Sequence, residues 1–225
     1  MFYFSFAACQ NYAQAQYVLG FIYYTGQFVP RDIDKAIYFL SLAANQNHPK
    51  AQYTIGSIYQ NGQFVIQDIK KAIYYFTLAA NQNIIEAYYN LGVIYYNGLS
   101  IARDIKKATQ YFAYAANHNH LNSLFNLGVI YQSNDINKAI DYYTKAAKQN
   151  HLASQCNLAY IYETGQYGPQ DIYKAIYYYK LAADQNQPDA QNNLAVIYKN
   201  GVGNDIPKIN WFANFRTIQF SELIE

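Results

Sequence analysis

Residues 51–83 read AQYTIGSIYQNGQFVIQDIKKAIYYFTLAANQN, and residues 87–119 answer them with AYYNLGVIYYNGLSIARDIKKATQYFAYAANHN. Such self-similarity at a fixed period is the signature of a repeat architecture. Working outward, Ala15, Ala51, Ala87 and Ser123 open equivalent segments at intervals of 36 residues, and Ser154 and Ala190 open two more at the same interval. Ser123 and Ser154 are only 31 apart, because Tyr131-Gln132-Ser133-Asn134-Asp135 lacks five residues that Tyr95 to Asp104 contains. Each period holds two helices. The first, helix A, carries small or apolar residues in a helical stripe, as in Ala51, Ile55, Gly56, Ile58 and Tyr59. The second, helix B, opens at Asp32, Asp68, Asp104, Asp135 or Asp171, where a carboxylate accepts from first-turn N–H groups. It continues with a Lys-Ala pair, two bulky residues and an Ala pair, for example Lys71-Ala72, Tyr75-Phe76 and Ala79-Ala80. Helix stops are equally regular. Asn11, Asn47, Asn83, Asn119, Asn150 and Asn186 follow the Ala pairs, and Gly26, Gly62, Gly98 and Gly165 follow helix A, all at places that want a left-handed residue.

The 225 residues are 52% hydrophobic, so the chain folds, and a net charge of +2 with 13% charged residues supplies no basic stripe for nucleic acid. Its two cysteines, Cys9 and Cys156, provide neither a disulfide framework nor a cysteine-based zinc site, and both read as packed thiols. No apolar stretch approaches the roughly 20 residues of a membrane span. Phe6-Ala7-Ala8-Cys9 approaches a lipid-attachment box. No basic residue precedes Arg31, however, and residues 3–11 already match the repeat at residues 39–47, so the segment reads as repeat.

The pattern A-x-x-x-L-G-x-x-Y-x-x-G followed by D-x-x-K-A-x-x-Y-Y-x-x-A-A resembles the Sel-like repeats, longer-looped relatives of tetratricopeptide repeats, from about Tyr3 to about Gly203. Two departures stand out: Phe28, Phe64, Ser100 and Tyr167 replace the family's second loop Gly, and helix B stops on Asn instead of Gly. The expected fold is all-α, a right-handed superhelical α-solenoid of antiparallel helix pairs. As one repeat domain over 1–225 it divides into a half repeat at 1–14, repeats at 15–50, 51–86 and 87–122, a short-loop repeat at 123–153, a repeat at 154–189, and a degenerate repeat with C-terminal cap at 190–225. Pro207 suits the first turn of that cap and Trp211, Phe212 and Phe215 its inner side. Met1, Phe2, Tyr3, Phe4 and Phe6 form an apolar edge with no preceding helix A, which predicts self-association or a longer array.

No catalytic constellation is present. His48, His120 and His151 recur as turn residues beside the extra His118, carboxylates are mostly helix B caps with Glu86 and Glu163 elsewhere, and no phosphate-cradling loop or nucleophile elbow occurs. The chain is accordingly expected to be no enzyme and to need no metal or cofactor. The resemblance implies a concave face lined by helix A that binds a protein or peptide. Four consecutive units place Asn at one phase of that helix, Asn90, Asn126, Asn157 and Asn193, after Val18 and Thr54. Amides both donate and accept, so such a ladder suits a peptide backbone; it is equally what a structural amide inherited with the repeat would give. Tyr53, Tyr89, Phe125, Val93, Val129, Tyr160 and Glu163 flank it as pocket residues.

Twenty-seven tyrosines divide by helix phase, Tyr23, Tyr75, Tyr89 and Tyr95 onto the packed stripe and Tyr24, Tyr74, Tyr88 and Tyr96 outside it. Exposed Tyr suits recognition, and a Tyr-, Asn-, Ile- and Lys-rich composition is also what base composition alone produces. The functional expectation is a scaffold or adaptor, cytoplasmic or exported without a classical signal peptide. A glycan- or polymer-binding module built on exposed Tyr is the first alternative, and a hydrolase-like enzyme the more distant one.

Overall fold

A computed structural model describes residues 8, 10–98 and 100–199. The N-terminal aromatic edge, Cys9 and the C-terminal cap lie outside the described residues. Among these there are eleven helices in sequential antiparallel pairs, an α-solenoid: α1 (Ala13–Thr25), α2 (Ile33–Asn45), α3 (Pro49–Asn61), α4 (Ile69–Ala80), α5 (Ile85–Asn97), α6 (Ile105–Asn117), α7 (Leu121–Tyr131), α8 (Ile136–Ala147), α9 (Leu152–Thr164), α10 (Ile172–Ala183) and α11 (Pro188–Lys199). Odd-numbered helices are helix A and even-numbered ones helix B. The helices group into two compact units, Met1–Ala146 and Ala147–Glu225.

In the first unit each pair closes on one contact. The second bulky residue of helix B lies over the Gly of helix A, so close that a Cβ on Gly56 would meet the Phe76 ring at 2.8 Å, one on Gly92 the Phe112 ring at 2.6 Å, and one on Gly128 the Tyr143 ring at 2.5 Å. Leu40 does the same over Gly20 at 2.7 Å. The first bulky residue stacks instead on the Tyr near the end of helix A: Phe39 on Tyr23, Tyr75 on Tyr59, Tyr111 on Tyr95 and Tyr142 on Tyr131, with centroids 5.6–6.4 Å apart. Ala36, Ala72 and Ala108 are fully buried and let the backbones approach. The second unit repeats the scheme with Tyr178 stacked on Tyr162 at 6.1 Å, and buried Ala159 and Tyr179 at the positions of the Gly and ring.

Helix ends follow from local chemistry. Every described turn Asn has φ between 59° and 63°, in the left-handed region, and each carries its N–H to the carbonyl of the second Ala, as Asn83 to Ala80 at 2.8 Å. Asp32, Asp68, Asp104, Asp135 and Asp171 cap helix B by accepting the N–H of Lys35, Lys71, Lys107, Lys138 and Lys174 at 2.9–3.1 Å. The same lysines pair with the cap carboxylates and lie 4.8–5.4 Å from the ring centroids of Tyr23, Tyr59, Tyr95, Tyr131 and Tyr162. Each cap also donates its own N–H to that helix-A Tyr carbonyl, Asp104 to Tyr95 at 2.9 Å across a long loop and Asp135 to Tyr131 at 2.7 Å across the short one. Deleting five loop residues therefore leaves the anchor point unchanged.

Two elements correct the sequence reading. Tyr24, Tyr88 and Tyr96 do not stand outside the packed stripe: Tyr24 packs against the Leu40–Ile58 cluster, Tyr88 against the Phe76–Leu91 cluster and Tyr96 against the Phe112–Leu127 cluster. Helix B covers a wider arc of helix A than one stripe, Tyr88 meeting Tyr111 and Tyr114 and Tyr96 meeting Phe112, and only Tyr74 of that set is exposed. The histidines are more than turn residues. His48, His120 and His151 cap helix A, Nδ1 accepting the N–H of Ala51, Ser123 and Ser154 at 3.2–3.3 Å.

Burial holds His48 and His120 below the ordinary imidazole pKa; Lys50 adds to this at His48, and Glu86 opposes it at His120. The folded state thus favours the neutral ring, whose Nδ1 lone pair the cap requires. The cap's contribution is complete above the unfolded value of about 6.5 and is lost as pH falls from there through the lower folded value. The melting temperature is expected to fall between about pH 7.5 and pH 5.5, and the double variant H48N/H120N, which keeps a capping side chain that does not titrate, to lose clearly less. An equal fall in both proteins counts against the caps as its source. A second test concerns packing. Gly→Ala inside a helix ordinarily stabilises by up to about 1 kcal/mol. Gly92→Ala is expected to destabilise by about 1–2 kcal/mol, because the added methyl overpacks against Phe112, as a lowered denaturation midpoint will show.

Candidate binding face on helix A

The outer surface of helix A is built from residues that the pair contact leaves uncovered. In the first unit, α1, α3, α5 and α7 carry only two charged residues, Lys50 and Glu86, both in first turns, so this surface consists of amides, hydroxyls and aromatic rings. Tyr53, Tyr89, Asn90, Phe125 and Asn126 lie on it, all half-buried. Tyr89 leans on the His120 ring at 4.7 Å and on Phe112 at 6.0 Å, and Phe125 on Tyr143 at 5.8 Å, so these rings are fixed by the helices beneath them. In the second unit Asn157, Glu163 and Asn193 are half-buried and Tyr160 is exposed, its hydroxyl donating to Gln166 Oε1 at 3.2 Å.

The four asparagines divide. Asn90 donates to the Tyr53 hydroxyl at 3.3 Å, tying α5 to α3. Asn193 hydrogen-bonds the Tyr179 hydroxyl, which donates to Glu163 Oε2 at 2.7 Å; burial first and then the Glu163 carboxylate push that phenol far above its ordinary pKa. Asn126 and Asn157 make no side-chain hydrogen bond among the described residues. Glu163, expected as a pocket residue, is thus tied within its own unit.

A second set of amides escaped the sequence reading. Gln16 and Gln52 are almost fully buried, and each donates to the carbonyl of an Ala in the preceding helix B, Ala8 and Ala44, at 3.2 Å. Each then accepts from a turn glutamine 30 residues on, Gln46 at 2.8 Å and Gln82 at 2.7 Å. Gln155 and Gln185 repeat the arrangement in the second unit, with Ala147 as acceptor. The clue was the recurrence of Ala-Gln at Ala15-Gln16 and Ala51-Gln52 together with Asn-Gln-Asn in the turns. Where Tyr88 replaces the Gln, it stacks on Tyr114 at 3.8 Å, and Tyr114 donates to Asn83 Oδ1 at 3.0 Å.

For chemistry the site offers little. Among the described residues no three His, Cys, Asp or Glu side chains group as metal ligands, and Cys156, half-buried in the second unit, has its thiol pushed up by burial and Asp189, away from nucleophilic character. No described helix is long and apolar enough to cross a membrane.

No curated protein resembles the chain closely enough in sequence to count as a match. Among solved structures, a protective antigen of uropathogenic Escherichia coli with the SLR fold superimposes with a TM-score of 0.82 at 30% identity over 88% of this chain, which spans 44% of the antigen's length. A Sel1 repeat protein of Oxalobacter formigenes gives 0.73 at 30% identity over 88% of this chain and 83% of its own. An immunity protein of Pseudomonas aeruginosa shares the fold at 0.50 and 20% identity, over 80% of this chain and 71% of its own. Six Sel1 repeats match residues 13–48, 49–84, 85–120, 122–151, 152–187 and 188–210, and with the same helix pairs, caps and small-residue contacts recurring through both units, the chain belongs to the Sel1 repeat family.

Proposed function

We propose that the chain is a scaffold that holds a protein or peptide partner on its helix-A surface and performs no chemistry itself. The observation that carries this reading is the split among the asparagines: Asn126 in the first unit and Asn157 in the second each keep a half-buried amide that makes no side-chain hydrogen bond among the described residues, whereas Asn90 is tied to Tyr53. An amide such as Asn126, next in sequence to the fixed ring of Phe125, can donate to and accept from an extended backbone without dictating its sequence. Rigidity favours the reading too, since rings already held by Phe112, His120 and Tyr143 lose little freedom on binding.

One observation favours a second reading. Tyr38, Tyr74 and Tyr177 occupy one register of helix B, are 58–60% exposed, and stand edge-on to Phe39, Tyr75 and Tyr178 at 5.1 Å. Exposed rings in that pose are stacking platforms for a sugar face. Binding of a soluble oligosaccharide that Y38A/Y74A abolishes, with no protein partner recovered, is the outcome that selects it.

Affinity capture with the intact chain supplies the partner for the main test. Asn126→Ala and Asn157→Ala together remove the hydrogen bonds of two amides, worth about 0.5–1.5 kcal/mol each, so affinity is expected to fall roughly tenfold at an unchanged melting temperature. Asn90→Ala is the control: it breaks the bond to Tyr53 and is expected to lower stability by about 1 kcal/mol. Unchanged affinity in the double variant removes the helix-A surface as the binding face.

A further inference from the structure

A different surface of the first unit combines features that a loop does not need for its own folding. Phe28 and Phe64 stand where resembling repeats have Gly, and they are 72% and 41% exposed; Ile66, two residues after Phe64, is 92% exposed. The loops are closed without them, by the left-handed Gly26 and Gly62 and by the Asp32 and Asp68 N–H groups on the Tyr23 and Tyr59 carbonyls. The Arg31 guanidinium lies 4.7 Å from the Phe64 ring centroid, which joins the first loop to the second. Large side chains are thus kept in water at an edge whose geometry smaller ones would satisfy.

The same edge has a charge imbalance. The cap carboxylates of Asp32, Asp68 and Asp104 are matched by Lys35, Lys71 and Lys107. Arg31, Lys70, Arg103 and Lys106 are exposed and form no ion pair among the described residues, and against these four cations only Asp34 on α2 is an exposed carboxylate outside the cap pairs. Arg31 and Arg103 instead place their guanidinium groups over the aromatic rings of Phe64 and Tyr96. The N-termini of α2, α4 and α6 emerge here as well and add positive potential.

We propose that this loop edge is a second docking surface, and that its occupant is a protein segment carrying both carboxylates and large apolar side chains. Carboxylates of the segment meet Lys70, Arg103 and Lys106, while its apolar side chains cover Phe28, Phe64 and Ile66; the charges supply steering and selectivity, and the covered rings supply most of the affinity. This surface lies on the loops and on the first turns of helix B. It does not rest on the helix-A reading and stands or falls separately.

The test is fluorescence anisotropy with the intact chain and three fluorescein-labelled peptides of one length: one alternating Glu with Leu and Phe, one with each Glu replaced by Gln, and one with each Leu and Phe replaced by Ser. The first is expected to bind, roughly tenfold more weakly when salt is raised from about 50 to about 300 mM, and the other two at least tenfold more weakly at low salt. K70E/K106E is expected to weaken binding of the first peptide by tenfold or more. Ile66→Ser should weaken it roughly fivefold, while N126A leaves it unchanged. All these positions except Asn126 are exposed, so an unchanged melting temperature is expected alongside. No binding of the first peptide, equal binding of all three, or indifference to K70E/K106E overturns the proposal. So does preferential binding to phosphatidylcholine vesicles containing phosphatidylserine, which assigns the edge to an anionic membrane surface.

Discussion

In the first unit the fold depends on a bulky side chain of helix B, Leu40 or an aromatic ring, lying where helix A has no side chain. At Gly56, Gly92 and Gly128 a methyl group would come within 2.8 Å of Phe76, Phe112 or Tyr143. The short interaxial distance this permits brings the buried Ala72, Ala108 and Ala139 into contact, and it brings the first bulky residue of helix B flat against the terminal Tyr of helix A. A Gly inside a helix costs about 1 kcal/mol relative to Ala, yet the contact it allows buries an entire aromatic side chain, worth about 1.5–3 kcal/mol. The balance explains why so unfavourable a helix residue recurs at one position.

The remaining recurrent residues hold that contact in register. Asp, Lys and Tyr act together: the carboxylate caps helix B, the lysine spans carboxylate and ring, and the Tyr carbonyl receives the cap's own N–H. Individually the exposed ion pairs are worth little. Their value is positional, since they fix where the chain re-enters helix B whether the loop is long or short. Between repeats, buried glutamines perform the corresponding task, each satisfied at both its donor and its acceptor, as a buried amide must be.

With pair contacts and connections so determined, the residues free to vary face outward, and they differ by surface. In the first unit helix A presents an almost uncharged surface of amides and anchored rings, suited to neutral backbone recognition. The loop edge presents cations that pair with no carboxylate among the described residues, together with Phe28, Phe64 and Ile66. A repeat scaffold separates these properties because each relative position in the repeat reaches the same surface in every copy.

The amino-acid sequence by itself determined the repeat period, the all-α class, the Asp caps, and the left-handed Asn and Gly residues that end the helices. These are legible because each rests on interactions within a few residues of chain: a side chain reaching the next turn's N–H, or a φ angle that only a few residue types tolerate. Tertiary structure alone decided which of the equivalent residues are spent on the fold. Asn90 and Asn126 share one phase of helix A, but the Tyr53 hydroxyl, 37 residues away in sequence, takes up the first, and no described residue hydrogen-bonds the second. Tyr88 and Tyr96 left the predicted outer phase because helix B of the same repeat, through Tyr111, Tyr114 and Phe112, covers the arc of helix that one amphipathic stripe leaves bare. The Gln52–Ala44 and Arg31–Phe64 contacts likewise join groups in adjacent repeats. Their existence depends on how one helix pair rotates against the next, and that angle is set by packing across the interface and not by local preference.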